Sequence, residues 1–319
     1  MQQFSIVFPG QGSQSVGMLD AWADHPAVRE VVREASDALA QDIGALIASG
    51  SKEELALTTN TQPVMLVAGV AAYRVWMAET GLTPIMVAGH SLGEYSALVA
   101  AGVMTLSQAA PLVRYRAQAM QEAVPVGHGA MAAVLGLDAP SVHRVCAEVS
   151  ASMGAEHVVE AVNLNDPMQT VIAGTKAAVE AACVQVKAQG AKRALPLPVS
   201  APFHSSLMRP AAWKLREKLA QVELRSPEIP LVNNVDVAVE TDAERIRDAL
   251  YRQAFGPVRW VETIQTFVTK GSKYVVECGP GKVLSGLCKR IDPALTGLAV
   301  FDPLSLGEAR SVLSGGEVK

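Results

Sequence analysis

Five residues constrain this chain more than any others: Gly89-His90-Ser91-Leu92-Gly93. A β-prone apolar run, Pro84 to Ala88, precedes them, and a helical pattern from Glu94 to Ala101 follows. A strand, a sharp G-x-S-x-G turn and a helix together make a nucleophile elbow. The logic is steric. The turn drives the serine into a strained backbone conformation and exposes its Oγ, while small residues two positions either side let strand and helix approach. The helix N-terminus and the Leu92 amide then favour developing negative charge. Without its flanking elements the pentapeptide is only a glycine-rich turn. With them, Ser91 is the expected nucleophile.

The surrounding pattern supplies the frame. Ser5 to Phe8 reads as a strand that ends in the tight turn Pro9-Gly10-Gln11-Gly12. Helical patterns cover 26–39 and 52–57. Thr61-Gln62-Pro63 then leads into Val64 to Ala78, apolar on nearly all sides, as expected of a central buried helix. A further helix is expected from Leu106 to Ala123. Strand and helix alternate, which argues for an α/β core with a parallel sheet. The pattern changes near Pro125. From Met131 to Leu197 it reads β (131–135), α (141–150), β (158–163), β (170–173), α (176–188), β (193–197), the ferredoxin-like order. Pro196 and Pro198 mark the return. The expected division is a large part, residues 1–127 and 199–319, carrying the nucleophile, with an inserted small lobe, 128–198. Beyond it come helices over 206–222, 243–253 and 261–270, short strands at 231–233 and 274–277, and a helix after Gly281. The tail from Ser314 is expected to fray.

Composition removes several classes. Half of the 319 residues are apolar and 18% are charged, enough for a sizeable core and unlike a disordered chain. A net charge of −4 lacks the basic bias of a nucleic-acid binder. The four cysteines form no CxxC pair, so neither a disulfide framework nor a metal site is expected. The N-terminus reads as a strand rather than a signal peptide, and the apolar run at 64–77 is broken by Arg74 and too short to span a bilayer, so a soluble cytoplasmic protein is expected. Nucleotide-binding loops fail on spacing. Ser15 stands where a third glycine would follow Gly10 and Gly12, and Val283 follows Gly281-Lys282 where Ser or Thr would be needed.

A serine nucleophile needs a base. Of the six histidines, His25, His90, His128, His143, His157 and His204, the last is set apart by its place. It lies in Pro202-Phe203-His204-Ser205-Ser206, a loop before a helix, where a side chain can be presented to a cleft. Residue chemistry alone leaves this reading in competition with an ordinary satisfied histidine. Chain order narrows the class. In α/β-hydrolases the histidine comes last, near the C-terminus, whereas here 115 residues and no histidine follow His204. A standard esterase triad is therefore disfavoured.

Phe8-Pro-Gly-Gln-Gly-Ser-Gln14, Gly89-His-Ser-Leu-Gly-Glu94, Asn163-Leu-Asn165, the His204 loop, Asn233-Asn234-Val235-Asp236 and Glu277-Cys-Gly-Pro-Gly281 occur in that order. Together they resemble the bacterial malonyl-CoA:acyl carrier protein transacylase family. The acyltransferase domains of polyketide and fatty acid synthases are more distant relatives. The resemblance implies an α/β-hydrolase-like large subdomain and a ferredoxin-like small one. It implies a Ser91–His204 dyad in which the backbone carbonyl of Gln253 orients the histidine, an oxyanion hole from the amides of Gln11 and Leu92, and Asn165 among the substrate-binding residues. It further implies malonyl-CoA and a holo acyl carrier protein as partners, coenzyme A thioester as substrate with no resident cofactor or metal, and a monomer. The same acyl-enzyme attacked by water would make a hydrolase instead.

A malonyl group carries a free carboxylate, which a guanidinium binds best. Arg114 and Arg116 lie about 200° apart around one expected helix. Arg114 shares its face with Gln118 and Gln121 and reads as solvent-facing, whereas Arg116 shares its face with Leu112, Val113, Ala119 and Met120. An arginine on an apolar stripe calls for a partner, and the family's arginine four residues before Met-Gln selects the same residue. Phe203 beside His204 is similar to the Phe-His pair of malonyl-using domains. Its ring would crowd an α-methyl branch, a discrimination of about 1–3 kcal/mol.

Overall fold

A computed structural model describes residues 2–315; Met1 and residues 316–319, most of the tail expected to fray, lie outside the described residues. In chain order the elements are β1 (Phe4–Phe8), α1 (Pro26–Leu39), α2 (Ile43–Ser49), α3 (Lys52–Ala56), α4 (Thr58–Thr80), β2 (Val87–Gly89), α5 (Gly93–Ala100), α6 (Leu106–Glu122), β3 (Gly129–Leu135), α7 (Ala139–Met153), β4 (Val159–Asp166), β5 (Gln169–Thr175), α8 (Lys176–Ala188), β6 (Arg193–Pro196), α9 (Arg209–Leu219), α10 (Ala243–Gln253), α11 (Trp260–Thr269), β7 (Tyr274–Cys278), α12 (Val283–Ile291), β8 (Thr296–Val300) and α13 (Pro303–Leu313). Among the described residues no helix is long and apolar enough to cross a membrane.

The chain forms two compact units. The first runs to Ala117 and resumes over Val222–Ile246 and from Thr263; the second comprises Gln118–Gln221 and Arg247–Glu262. The first holds a parallel sheet in the order β2-β1-β7-β8. All five residues of β1 are buried, as befits a parallel strand covered on both faces. Helix α4 covers it: Trp76 meets Phe4 and Tyr73 meets Phe8 edge-on, with ring centroids 5.7 and 6.0 Å apart. Burying each such side chain contributes about 1.5–3 kcal/mol.

Helix α4 begins at Thr58, well before the apolar run that marks it in sequence, and takes Pro63 inside it. Pro63 is the sixth residue of the helix, so it forfeits the hydrogen bond to the carbonyl of residue 59 and its ring crowds that carbonyl. Thr61 Oγ1 adds bonds to the carbonyls of Leu55 and Leu57 that hold this first stretch. The extension carries Gln62 into the interior, 1% exposed.

The second unit contains an antiparallel sheet in the order β4-β5-β3-β6, with α7 and α8 packed through Val142, Val145, Val149, Val179 and Val186. The ferredoxin-like order read from the sequence is thus present. This unit is wider than the 128–198 segment: it starts at Gln118, and later residues bond into it. Leu164 N–H donates to Val258 O and Val258 N–H to Val162 O, and Ser206 N–H donates to the Glu160 carboxylate.

Three further differences separate the structure from the expected pattern. The helix expected from Ser206 is a short 3-10 turn, Ser206–Met208, and α9 starts afresh with Pro210 in its first turn. The strand expected at 231–233 is reduced to isolated bridges, Leu231 with Val87 and Val232 with Val239. Elements α2, β8 and α13 were absent from the expected pattern. α2 is only seven residues long, set by its Asp42 cap, and β8 is a short edge strand containing Gly297.

Candidate active site

In the first unit, β1 and β2 run in parallel register to Phe8 opposite Gly89, and α5 starts at Gly93. Between them Ser91 has φ +53°. Steric demand explains the two flanking glycines. A Cβ on Gly89 would lie 1.8 Å from the carbonyl carbon of Gly93, and one on Gly93 would lie 2.1 Å from Phe8 O. Strand and helix touch backbone to backbone there. Leu92 is the N-cap of α5, so its amide belongs to the positive end of the helix. Gln11 lies on the exposed turn after β1, and its side-chain amide donates to Thr58 Oγ1 at 3.4 Å.

Asn234 belongs to the motif Asn233-Asn234-Val235-Asp236. Its Oδ1 accepts the Ser91 N–H at 2.7 Å and its Nδ2 donates to Gly89 O at 2.7 Å. Its own N–H donates to the Glu94 carboxylate at 3.0 Å. Asn234 and Glu94 are both buried.

Arg116 is 2% exposed on α6. Its Nη1 donates to Gln62 Oε1 at 2.9 Å, and its guanidinium carbon stands 5.5 Å from the centre of the Tyr95 ring. Burial pulls the Arg116 pKa down, opposed by Tyr95 and Glu94 beside it, while burial pushes the Tyr95 hydroxyl up to about 12. Gln62 is the partner that sequence reasoning missed, because Pro63 marked a break where the helix continues. Arg114 needs a correction. It is half-buried rather than solvent-facing, with Nε and Nη2 buried, and burial lowers its pKa.

The second unit carries the histidine. His204 is 3% exposed and has φ +64°. Its Nδ1–H donates to the carbonyl of Gln253 at 2.9 Å, which fixes the tautomer and makes Nε2 the basic nitrogen. Gln253 is the last residue of α10, so this carbonyl belongs to the negative end of a helix. The loop is pinned by Ser205 Oγ–H to Pro202 O at 2.7 Å and by Ser206 N–H to Glu160 at 2.6 Å. Phe203 is buried beside it. Asn165 lies buried in β4, where the register against β5 shifts between Leu164 and Asp166.

The predicted residues therefore fall into two sets. Gln11, Ser91, Leu92 and Arg116 belong to the first unit, and Asn165, Phe203, His204 and Gln253 to the second. Among the described residues no cluster of three or more His, Cys, Asp or Glu is placed to hold a metal ion.

Comparison with known proteins adds an independent line. A family model described as an acyl transferase domain matches residues 5–290. The chain is 52% identical over 310 residues, 97% of its length and 99% of the other, to the malonyl CoA-acyl carrier protein transacylase of Escherichia coli K12. It is similar to the crystal structure of an acyl-carrier-protein S-malonyltransferase from Burkholderia pseudomallei 1710b, with TM-score 0.94, 64% identity, and 97% and 100% of the two chains covered. It is also similar to a malonyl-transacylase in complex with a type II PKS acyl-carrier protein, with TM-score 0.94, 51% identity, and 98% and 100% covered.

Proposed function

This chain belongs to the acyl transferase domain family, and on that premise we propose that it moves a malonyl group from coenzyme A to the phosphopantetheine thiol of an acyl carrier protein. The product would supply extender units for fatty acid or polyketide synthesis. The reaction is ping-pong. His204 takes the proton of Ser91 as Oγ attacks the malonyl thioester, and the tetrahedral oxyanion rests on the amides of Gln11 and Leu92. The C–S bond then breaks, coenzyme A leaves with a proton from His204, and a malonyl ester remains on Ser91. The carrier thiol gives its proton to His204, attacks the ester, and regenerates the serine.

A carboxylate usually orients such a histidine. Here the helix-terminal carbonyl of Gln253 takes that position, and the negative end of α10 favours the imidazolium formed in each half-reaction. Phe203 and Asn165 are the further residues proposed to touch the substrate.

The observation that carries the malonyl reading is Arg116. A buried guanidinium that donates to the neutral amide of Gln62 and stands beside the Tyr95 ring suits an incoming carboxylate, which it can bind through two parallel N–H bonds. The experiment offers malonyl-CoA and acetyl-CoA to the parent enzyme and to Arg116→Ala in the presence of holo carrier protein. The parent makes malonyl-carrier rather than free malonate. Arg116→Ala loses about 2 kcal/mol or more of malonyl preference, about a thirtyfold or larger change in the malonyl-to-acetyl ratio. An unchanged ratio would assign Arg116 a structural task, and free malonate as the main product would make the chain a hydrolase.

A further inference from the structure

We propose that Asn234 is the positioning residue that holds the nucleophile elbow in its reactive geometry. The proposal rests on the reading of Ser91 as nucleophile.

Residues 230–232 lie alongside β2 in parallel fashion: Val87 N–H donates to Pro230 O, and Val232 N–H donates to Val87 O. The next rung of that ladder would bring the Asn234 N–H to Gly89 O. At this point β2 ends and the chain turns into the elbow. Asn234 fills the rung with its side chain instead, Nδ2 donating to Gly89 O, and its backbone N–H turns to the Glu94 carboxylate. The remaining amide atom, Oδ1, takes the Ser91 N–H. One buried residue thus bonds the last residue of the strand, the nucleophile, and the first turn of α5.

The chemistry of the side chain is specific. Gly89 C=O can only accept and Ser91 N–H can only donate, so the bridging group must present a donor and an acceptor side by side. A primary amide does so. A carboxylate would set an oxygen against the Gly89 carbonyl, and alanine would leave both buried backbone groups without this partner. A serine at φ +53° is strained and persists only where its surroundings over-determine it. The glycines at 89 and 93 permit the conformation, but they do not select it. Asn234 does, and with it the direction of Ser91 Oγ and the setting of the next amide, Leu92.

The test is rapid-quench labelling with radioactive malonyl-CoA, scored per folded molecule, on the parent, Ser91→Ala, Asn234→Ala and Asn234→Asp. Ser91→Ala should remain unlabelled; labelling there would remove the nucleophile reading itself. With Ser91→Ala silent, Asn234→Ala should acylate about 100-fold more slowly while half-saturation by malonyl-CoA moves less than about threefold, since the carboxylate pocket is untouched. Acylation at the parental rate, with only the melting temperature lowered, would overturn the proposal. Asn234→Asp decides the matter even if the alanine variant fails to fold. Its introduced carboxyl accepts from Ser91 N–H in either state but donates to Gly89 C=O only when protonated. Expressed relative to the parent at each pH, so that titration of the base cancels, its acylation rate should climb as pH falls. A flat ratio would overturn the proposal.

Discussion

Ser91 and His204 are both non-glycine residues held at positive φ, +53° and +64°, but by different means. The Ser91 elbow is framed by its neighbours in sequence, two glycines whose absent Cβ atoms let β1, β2 and α5 touch and a helix that begins two residues on, and within that frame one distant side chain, Asn234, bonds the turn. The His204 loop has no such local frame. Its bonds go to Gln253, 49 residues away, and from Ser206 to Glu160, 46 residues away, with one short-range clamp at Pro202. Each conformation costs about 1–3 kcal/mol of strain. Strain imposed by packing of the main chain is hard to relieve by substitution, whereas strain held by side-chain bonds at long range depends on residues that look unrelated in sequence.

That contrast can be broken experimentally. The largest effect should come from His204→Ala, which removes the base but no steric support. Transfer should fall about 100- to 10,000-fold, measured as malonyl-carrier formed per minute, while thermal unfolding shifts by the equivalent of about 1–3 kcal/mol, as expected for losing the buried bond to the Gln253 carbonyl. Next in size is Gly93→Ala, where the added methyl would meet Phe8 O at 2.1 Å and Pro9 O at 3.0 Å. This should cost about 3 kcal/mol or more in urea unfolding, because backbone on both sides has to move. A small loss there would mean that the elbow is softer than its geometry indicates. Smallest of all is Gln253→Ala. The group that orients His204 is the main-chain carbonyl, which alanine keeps, so kcat per folded molecule should stay within about threefold of the parent. A hundredfold loss would show that the side chain, not the carbonyl, does the orienting.

The same contrast explains what could be read from the sequence. The elbow was legible because strand, glycines, serine and helix are contiguous. The bounds of α8 and α10 and the β-α-β-β-α-β order were legible for the same reason: periodicity is a local property. Arg116 was legible from the stripe it shares, but its partner Gln62 was hidden by Pro63, which reads as a helix break and is tolerated near a helix start. Arg114 was misread because the stripe argument considers one helix alone and cannot account for what packs beside it. Nothing in periodicity pointed to Glu160 beneath the His204 loop or to Asn234 across the elbow, since each acts 46 or more residues from its partner. Gln11, Asn165 and Gln253 came only through family resemblance, and two of these three roles invoke backbone groups, which side-chain identity does not reveal.

The central claim is a covalent malonyl ester on one hydroxyl. The direct measurement is to mix the enzyme with malonyl-CoA without carrier protein, quench in acid, digest, and locate the added mass. The account predicts one malonyl group on the peptide containing Ser91, lost when holo carrier protein is added before the quench and absent from Ser91→Ala. A malonyl group on any other residue, or transfer to carrier by Ser91→Ala at the parental rate, would contradict it.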